Sequence, residues 1–282
     1  MPERRQALRD LLATGRTLVA PGASDALSAR LIEAAGFPLV YVGSYATAAS
    51  RFGLPDVGLL SLPELVEQAR TVADAVKTPV IADAEGGFND AANIWRTVRA
   101  YERAGVAAIH IEDHAFGKHA AVPQRLRPRD EAIGRLKAAL DARTDANFLI
   151  IARTDAAWAL KDPIEAVLRM RAFAEAGADL VFPTGMTPPE IAAVRERVGC
   201  PIVAVDTPGF DFDDEEAAGI SIVLYYALAV GVQYAAVKGA LAALRTARSG
   251  DRVRGWREHA AELEQFLGYN EFEARVLKYG RG

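Results

Sequence analysis

The sequence predicts an α/β protein that folds as a (β/α)8 barrel with additional C-terminal helices. Eight short apolar runs alternate with amphipathic stretches of helical length along the 282 residues. The runs are apolar on both faces, which is typical of strands in a parallel sheet that helices cover. A doubly wound dinucleotide-binding sheet is excluded, because the segment after the first run, Ala20–Ser24, has one glycine instead of a Gly-rich fingerprint.

We expect a single domain over residues 1–282, because no Pro/Gly/Ser-rich linker or low-complexity tract divides the chain. The predicted strands, in chain order, are Thr17–Ala20, Leu39–Val42, Pro79–Ala82, Ala107–Ile111, Phe148–Ala152, Asp179–Phe182, Pro201–Val205 and Ser221–Tyr225. A helical tail, about 252–282, is expected beyond the eighth unit. The most apolar stretch, Ile220–Val237, is interpreted as the last strand running into a packed helix rather than as a membrane span.

Helix boundaries are marked by residues with defined roles at helix ends. Ser61 and Glu64 form a predicted capping box, and Asp162–Pro163 begins another helix. Glycine enters left-handed backbone without a Cβ penalty, and it closes three of the predicted helices: Gly36, Gly105 and Gly177.

Composition excludes several classes of function. The formal net charge of −4 gives no electrostatic basis for binding nucleic acid or an anionic membrane. Cys200 is the single cysteine, so a disulfide scaffold and a thiolate metal site are excluded, and we interpret this residue as core packing. The charged start of the chain lacks the apolar core of a secretion signal, and we expect a cytoplasmic protein.

Acidic residues follow two neighbouring predicted strands. Asp83 and Glu85 follow the third strand and Glu112 follows the fourth. Gathering like charges at one rim costs energy unless a cation neutralises them. With one cysteine and few histidines available, oxygen ligands favour Mg²⁺, with Mn²⁺ as an alternative. Other acids at strand ends are explained equally well as caps of the following helices: Asp113, Asp155 and Asp206.

At these residues the sequence resembles the phosphoenolpyruvate mutase/isocitrate lyase superfamily, over about 20–206. Four segments are similar to motifs of that family, in the same order: Gly53–Gly58, Asp83–Asn89, Ile111–Asp113 and Ile151–Asp155. The resemblance implies a Mg²⁺ ion, a small 2-oxo or 2-hydroxy acid as substrate, and an enolpyruvate-like intermediate that the metal stabilises. It also implies a gating loop after the fourth strand, and homodimers or homotetramers that exchange the eighth helix.

Carried over position by position, the resemblance implies a metal site and its acidic surroundings. Asp83 would be the direct metal ligand, and Glu85 and Glu112 would hold metal-bound waters. Asp56 would be the acidic residue of a neighbouring loop that also holds such a water.

The resemblance further implies residues that contact substrate. Arg153 would bind the substrate carboxylate. Ser44, with the backbone around Gly43 and Tyr45, would bind the carboxylate of a pyruvyl group. Lys118 would be the lysine of the gating loop.

The gating loop departs from the family pattern and narrows the function. Where the lyases carry a general acid cysteine, this chain has Ala120, so His119 and His114 are candidates to supply the proton. We therefore expect a Mg²⁺-dependent carbon–carbon lyase or decarboxylase acting on a small dicarboxylate, with oxaloacetate as the first candidate because its decarboxylation needs no acid–base cysteine. The alternatives are a phosphonopyruvate-type mutase or hydrolase, whose loop motif is missing, and a non-catalytic metabolite-binding barrel.

Overall fold

Eight parallel strands form the closed barrel that the sequence predicts. The computed structural model describes residues 2–116, 118 and 124–280. The barrel strands are β1 (Leu18–Pro21), β2 (Val40–Val42), β3 (Val80–Asp83), β4 (Ala108–Glu112), β7 (Leu149–Thr154), β8 (Leu180–Pro183), β9 (Val203–Val205) and β10 (Ile222–Tyr225), and an antiparallel pair, β5 (His114–Phe116) and β6 (Arg125–Leu126), follows β4. Strands β2-β3-β4-β7-β8 and β1-β10-β9 form two parallel sheets. Single bridges, Gly22 to Tyr41 and Val181 to Ile202, join the sheets into a ring.

Helices surround the strands in the alternating order expected of the fold. They are α1 (Pro2–Ala13), α2 (Ala26–Ala34), α3 (Ser44–Thr47), α4 (Leu62–Ala75), α5 (Ile94–Ala104), α6 (Arg129–Ala142), α7 (Ala156–Ala159), α8 (Pro163–Glu175), α9 (Pro188–Ala192), α10 (Phe212–Ala217), α11 (Leu228–Ala247), α12 (Trp256–Leu267) and α13 (Tyr269–Tyr279). The Ser61–Glu64 capping box starts α4, and Asp162 caps α8. The three predicted glycines all have positive φ.

Two layers of apolar side chains hold the barrel together. An inner cluster fills the ring with residues from alternate strand positions, such as Leu18, Ile81 and Leu149. Leu8 of α1 belongs to this inner cluster and is fully buried, so α1 packs against the barrel interior. A larger outer cluster lies between the strands and the covering helices. Alternation between the two layers is the reason that each strand is apolar on both faces.

The eight predicted strands lie within two residues of the observed ones. The pair β5 and β6 was not predicted, because three- and two-residue strands beside a turn carry no periodic signal. The segment between them contains residues 117 and 119–123, which lie outside the described part of the chain.

The chain divides into two compact units, residues 1–230 and 231–282. The helix expected after the last strand is present as α11, but the described chain buries none of its residues, and Val232, Tyr234, Val237 and Leu241 are more than half exposed. An apolar face predicts that a helix packs against another surface, but not that this surface belongs to the same chain. Among the described residues no helix is long and apolar enough to cross a membrane.

Candidate active site

Three buried carboxylates meet at the carboxyl ends of β3 and β4. Asp83 is the last residue of β3, Glu112 the last of β4, and Glu85 follows Asp83 by two residues. One carboxylate oxygen from each lies within 4.8 Å of the others, and all three residues are buried. Parallel pairing of the two strands is what brings the side chains to one rim.

The backbone at Glu85 is left-handed, with φ of 49°. Its N–H donates to Asp83 Oδ1 at 2.8 Å, and its carbonyl accepts from the amide of Glu112 at 2.9 Å. These bonds hold Glu85, which has a long side chain, in a backbone conformation that glycine ordinarily adopts. Strained backbone of this kind is concentrated at functional sites, where surrounding contacts maintain it.

The ammonium group of Lys118 lies among the carboxylates. Its Nζ is 2.8 Å from Glu85 Oε2, 3.3 Å from Glu112 Oε2, and 3.9 Å from Asp83 Oδ2 and from Asp56 Oδ2. Although burial opposes the charge, Glu112, Asp83 and Glu85 hold the pKa of Lys118 well above its usual value. Lys118 is therefore a permanent cation within the acidic cluster, a position that the sequence did not reveal.

Burial and charge act differently on the carboxyl groups of the cluster. Burial raises the pKa of Glu112 to about 8, against the opposing charges of Lys118 and Arg153. Burial also disfavours ionisation of Asp83, but His110, Lys118 and Arg153, in that order, hold its pKa well below the usual range. Asp83 is consequently ionised at neutral pH, while Glu112 needs additional positive charge to become fully ionised.

The cluster fits a hard divalent cation. Its donors are carboxylate oxygens, which Mg²⁺ prefers. Glu112 Oε2 is buried and accepts no hydrogen bond from the described residues, although the charged groups of Lys118 and Arg153 lie 3.3 Å from it. A divalent ion would supply the positive charge that three clustered acids require. Asp83, Glu85 and Glu112 are the residues that would hold it.

Arg153 lies beside the cluster and is held by Asp155. Its Nη1 is 3.3 Å from Glu112 Oε2, and its Nε donates to Asp155 Oδ1 at 2.8 Å. The guanidinium also lies over the ring of Phe182, 5.2 Å from its centroid. These contacts fix a buried cation in one orientation, which suits it to bind a planar carboxylate.

Asp155 and Asp113 position other groups and do not cap helices. Asp155 makes no side-chain cap bond to α7, and its Oδ2 lies 3.0 Å from His114 Nδ1. Asp113 accepts from the Asp155 amide at 3.0 Å and from Arg169 Nη1 at 3.1 Å. The capping explanation fails for Asp206 too, because the residue that caps α10 is Asp211.

Gly43, Ser44 and Tyr45 lie next to the acidic cluster, in the cavity that also includes Asp83 and Arg153. Ser44 Oγ donates to Asp83 Oδ2 at 2.8 Å, so its hydroxyl contacts the cluster directly. Gly43 has no room for a side chain, since a Cβ there would lie 2.8 Å from the Tyr41 ring. Tyr45 is 45% exposed and meets the edge of Tyr226 at 5.5 Å between ring centroids. The two tyrosines form part of a pocket wall.

The histidines occupy different environments. His110 is fully buried, its Nε2 lies 3.0 Å from the Tyr41 hydroxyl, and burial lowers its pKa to about 4. This neutral histidine packs in the barrel. His114 pairs with Asp155. His119, the other candidate proton donor, lies outside the described residues.

Two cavities share Lys118. One of about 620 Å³ includes most of the predicted site: Gly43, Ser44, Tyr45, Asp56, Asp83, Lys118 and Arg153. Its apolar wall is made in part by Trp158, Phe182 and Tyr226. The sequence did not predict this wall, because aromatic residues near strand ends are ordinarily interpreted as core packing. The second cavity, of about 820 Å³, includes Glu85, Glu112, Lys118 and His114. The structure thus brings together every described residue that the sequence assigned to the site.

Comparisons with known proteins agree with this geometry. The family model of phosphoenolpyruvate phosphomutase matches residues 8–245. The 2,3-dimethylmalate lyase of Eubacterium barkeri is 38% identical over 275 residues, 94% of this chain and 91% of that protein. The oxaloacetate decarboxylase of Rhodopseudomonas palustris (strain BisB5) is 37% identical over 260 residues, 89% of this chain and 88% of that protein. A phosphonopyruvate hydrolase crystallised with oxalate and Mg²⁺ superimposes with a TM-score of 0.88 and 32% identity over 99% of both chains. This chain belongs to the PEP mutase/isocitrate lyase superfamily.

Proposed function

We propose that this protein is a Mg²⁺-dependent lyase that cleaves a carbon–carbon bond in a small 2-oxo or 2-hydroxy dicarboxylate. The observation that carries the proposal is the convergence of Asp83, Glu85 and Glu112 on one point beside Arg153. Relatives that cover most of the chain are named as lyases and decarboxylases, which supports the same class of reaction. The Mg²⁺ in the phosphonopyruvate hydrolase structure supports the choice of metal.

The chain's own residues account for substrate binding and orientation. Arg153, held by Asp155, binds a substrate carboxylate in a fixed position next to the cluster. Ser44 and the backbone around Gly43 and Tyr45 bind the carboxylate of the pyruvyl part. Bound Mg²⁺ would supply Lewis-acid stabilisation of the negative charge that develops when the bond breaks. Lys118, which keeps its proton, adds a second positive charge in the same cavity.

The proposed reaction does not use a cysteine. Cys200 packs against the outer core, and burial raises the pKa of its thiol to about 11. Oxaloacetate is the first substrate to test, because decarboxylation needs no thiol acid and a relative is an oxaloacetate decarboxylase. The second is 2,3-dimethylmalate, the substrate in the name of another relative.

We also propose that the protein is a homodimer or homotetramer formed through its C-terminal helices. Exposed apolar side chains are concentrated on α11, α12 and α13, where none of the residues is buried. Large exposed apolar surface of this kind marks an interaction site. Exchange of helices between copies of the chain would cover it.

The proposed reaction is tested by pyruvate release with Mg²⁺ and with EDTA, over oxaloacetate, 2,3-dimethylmalate, 2-methylisocitrate and phosphonopyruvate. Metal-dependent pyruvate from one of the carbon substrates is the expected result. Free phosphate from phosphonopyruvate, with no reaction of the other three, would show phosphorus–carbon chemistry instead. Silence with all four compounds would contradict the proposal and favour a binding protein.

Substitution of a cluster acid tests the site. Asp83→Ala should reduce Mg²⁺-dependent turnover by at least about 10²-fold, because several kcal/mol of charge stabilisation are lost. Asp74→Ala, which removes an exposed carboxylate on α4, is the control and should retain full activity. Circular dichroism establishes that both variants are folded. Unchanged turnover of folded Asp83→Ala would remove this residue from the site.

A further inference from the structure

The loop that joins β3 to α5 contains three left-handed residues within four positions. Glu85 has φ of 49°, Gly87 of 85° and Phe88 of 60°. Glycine adopts such backbone freely, but glutamate and phenylalanine do not, so contacts with the rest of the fold must maintain it. The conformation bears on the acidic cluster, because Glu85 belongs to the cluster and Asp83 is the strand residue from which the loop begins.

One buried face of α5 lies against this loop. Ile94, Thr97 and Tyr101 follow one another at intervals of three and four residues, so they share a helical face. All three are fully buried. A Cβ at Gly87 would lie 2.7 Å from Ile94 Cδ1, which shows how closely the helix and the loop pack. The helix that follows β3 therefore contacts the loop that precedes it.

Tyr101 holds the backbone at the end of β3. Its hydroxyl donates to the carbonyl of Asp83 at 2.6 Å, and the whole side chain is buried. Strand β2 pairs with β3 as far as Ala82, so Asp83 lies beyond that ladder. A buried carbonyl without a donor destabilises the fold, and here a side chain supplies a donor. The Tyr101 hydroxyl thus fixes the backbone that carries one carboxylate of the cluster.

Thr97 holds the loop at Gly87, beyond Glu85. Its hydroxyl donates to the Gly87 carbonyl at 2.8 Å and accepts from Asn89 Nδ2 at 3.1 Å. Within the loop, the Gly87 amide donates to the carbonyl of Ala84 at 2.8 Å. One hydroxyl therefore uses both its donor and its acceptor to hold the left-handed segment closed.

The two anchored carbonyls, of Asp83 and Gly87, lie on either side of Glu85. Between them the Glu85 N–H donates to Asp83 Oδ1, and the Glu85 carbonyl accepts from the amide of Glu112. A shift of this backbone would therefore move the three carboxylates relative to one another. Mg²⁺ demands near-ideal octahedral geometry, and the partners that hold its ligands decide how well a site meets that demand.

We propose that Thr97 and Tyr101 are positioning residues, whose hydroxyl groups hold the acidic cluster in the geometry that binds Mg²⁺. The inference rests on the proposed function and deepens it, because it concerns the metal site that the proposed reaction uses. Neither residue lines either of the two cavities, so each acts through a backbone carbonyl at the end of β3 or in the loop. The apparatus that sets the metal site therefore includes a helix on the outside of the barrel.

Calorimetric titration of Mg²⁺ into the metal-free protein tests the Thr97 hydroxyl without turnover. Thr97→Val keeps the branched shape of the side chain but removes the hydroxyl, and it should weaken Mg²⁺ binding by about tenfold or more, as loss of an outer partner does at other metal sites. Thr97→Ser removes a buried methyl group but keeps the hydroxyl, and its affinity should stay close to that of wild type. A role in packing alone predicts the reverse order.

Tyr101→Phe removes only a hydroxyl and should weaken Mg²⁺ binding by a similar factor. Tyr225→Phe is the matched control, because the Tyr225 hydroxyl donates to Glu215 and the residue lies outside both cavities. This variant loses a hydrogen bond away from the cluster and should bind Mg²⁺ as wild type does. Urea denaturation in EDTA establishes that each variant is folded and measures its stability separately from its metal affinity.

Wild-type affinity in folded Thr97→Val or Tyr101→Phe would overturn the positioning role of that residue. Equal losses in Thr97→Ser and Thr97→Val, or no saturable Mg²⁺ binding by wild type, would overturn the inference as well.

Pyruvate release, measured on the same preparations, separates this inference from the proposed function. Metal-dependent pyruvate release together with Mg²⁺ affinities that ignore both hydroxyls would leave the lyase proposal standing and remove the positioning role. Hydroxyl-dependent Mg²⁺ binding without pyruvate release from any substrate would keep the positioning role and remove the lyase proposal.

Discussion

Glu215 is a buried carboxyl group on α10, in a place that the proposed reaction does not use. It is 1% exposed, and its Oε2 accepts from the Tyr225 hydroxyl at 3.3 Å. Its Oε1 bonds to none of the described residues. Burial, reinforced by the negative charges of Asp206, Asp211 and Asp214, raises the pKa of Glu215 to about 7. The folded protein therefore binds a proton here that the unfolded chain releases.

Glu215→Gln should change how the free energy of unfolding depends on pH. A raised acid pKa stabilises the folded state below the unfolded pKa, about 4.3, and this stabilisation is lost as pH rises through the folded value. Glutamine does not titrate and so does not lose this stabilisation. The free energy of unfolding of the variant, relative to that of wild type, should therefore rise by about 2–3 kcal/mol between pH 4.5 and pH 8. Urea denaturation at both pH values measures it. Glu216→Gln, at the exposed neighbouring position, is the matched control.

At the residue scale, strand geometry predicted the acids of the cluster, and the resemblance implied Lys118 and Arg153 as residues of the same site, but not that the Lys118 ammonium lies among the carboxylates. Asp83 and Glu112 could be placed together because the ends of adjacent parallel strands meet at one rim. The place of the Lys118 ammonium carries no such marker, because Lys118 lies in a turn after β5 and not at the end of a barrel strand.

The interior of α6 offers a test at the scale of an element. Gly134 lies in this helix and is exposed, and an added Cβ would lie more than 4 Å from every described atom outside the local helix backbone. Gly134→Ala should raise the free energy of unfolding by about 0.5–1 kcal/mol, because alanine has less backbone freedom to lose. Thermal or urea denaturation measures this change.

Gly22, which joins the two sheets through its bridge to Tyr41, provides the opposite case. Gly22 follows β1, and an added Cβ would lie 2.4 Å from the carbonyl oxygen of Tyr226. Gly22→Ala should destabilise the protein, because backbone rather than a flexible side chain must move. Equal changes in the free energy of unfolding for Gly22→Ala and Gly134→Ala would contradict the close contact between Gly22 and the Tyr226 backbone.

At the element scale, the eight strands were predictable because each is a short apolar run between turn signals. The pair β5 and β6 was not, since its backbone pairing depends on neighbours that periodicity does not describe. The exposure of α11 was not predictable either. Its composition shows an apolar helix, and only the fold shows which surfaces the chain leaves uncovered.

The oligomeric state is the prediction that belongs to the whole molecule. Light scattering should give a mass of at least twice the 30.3 kDa of the chain. Leu241→Glu places a charge on a 60% exposed position of α11 and should lower the mass to that of the monomer. Leu31→Glu, at a 53% exposed position of α2, should leave it unchanged. A monomeric wild type would contradict assembly through the C-terminal helices.

The position of Lys118 has a consequence for how metal and protein come together. Because its ammonium already lies among Glu85, Glu112 and Asp83, a divalent ion entering the cluster would exchange with a resident cation. Metal affinity would then be a difference between two attractions, and the chain can fold around its own counter-ion before any metal arrives. Lys118 lines both cavities, so the displaced ammonium would stay in the proposed substrate pocket. Under the proposed function, binding of the metal would thereby leave a second positive charge beside the anionic substrate.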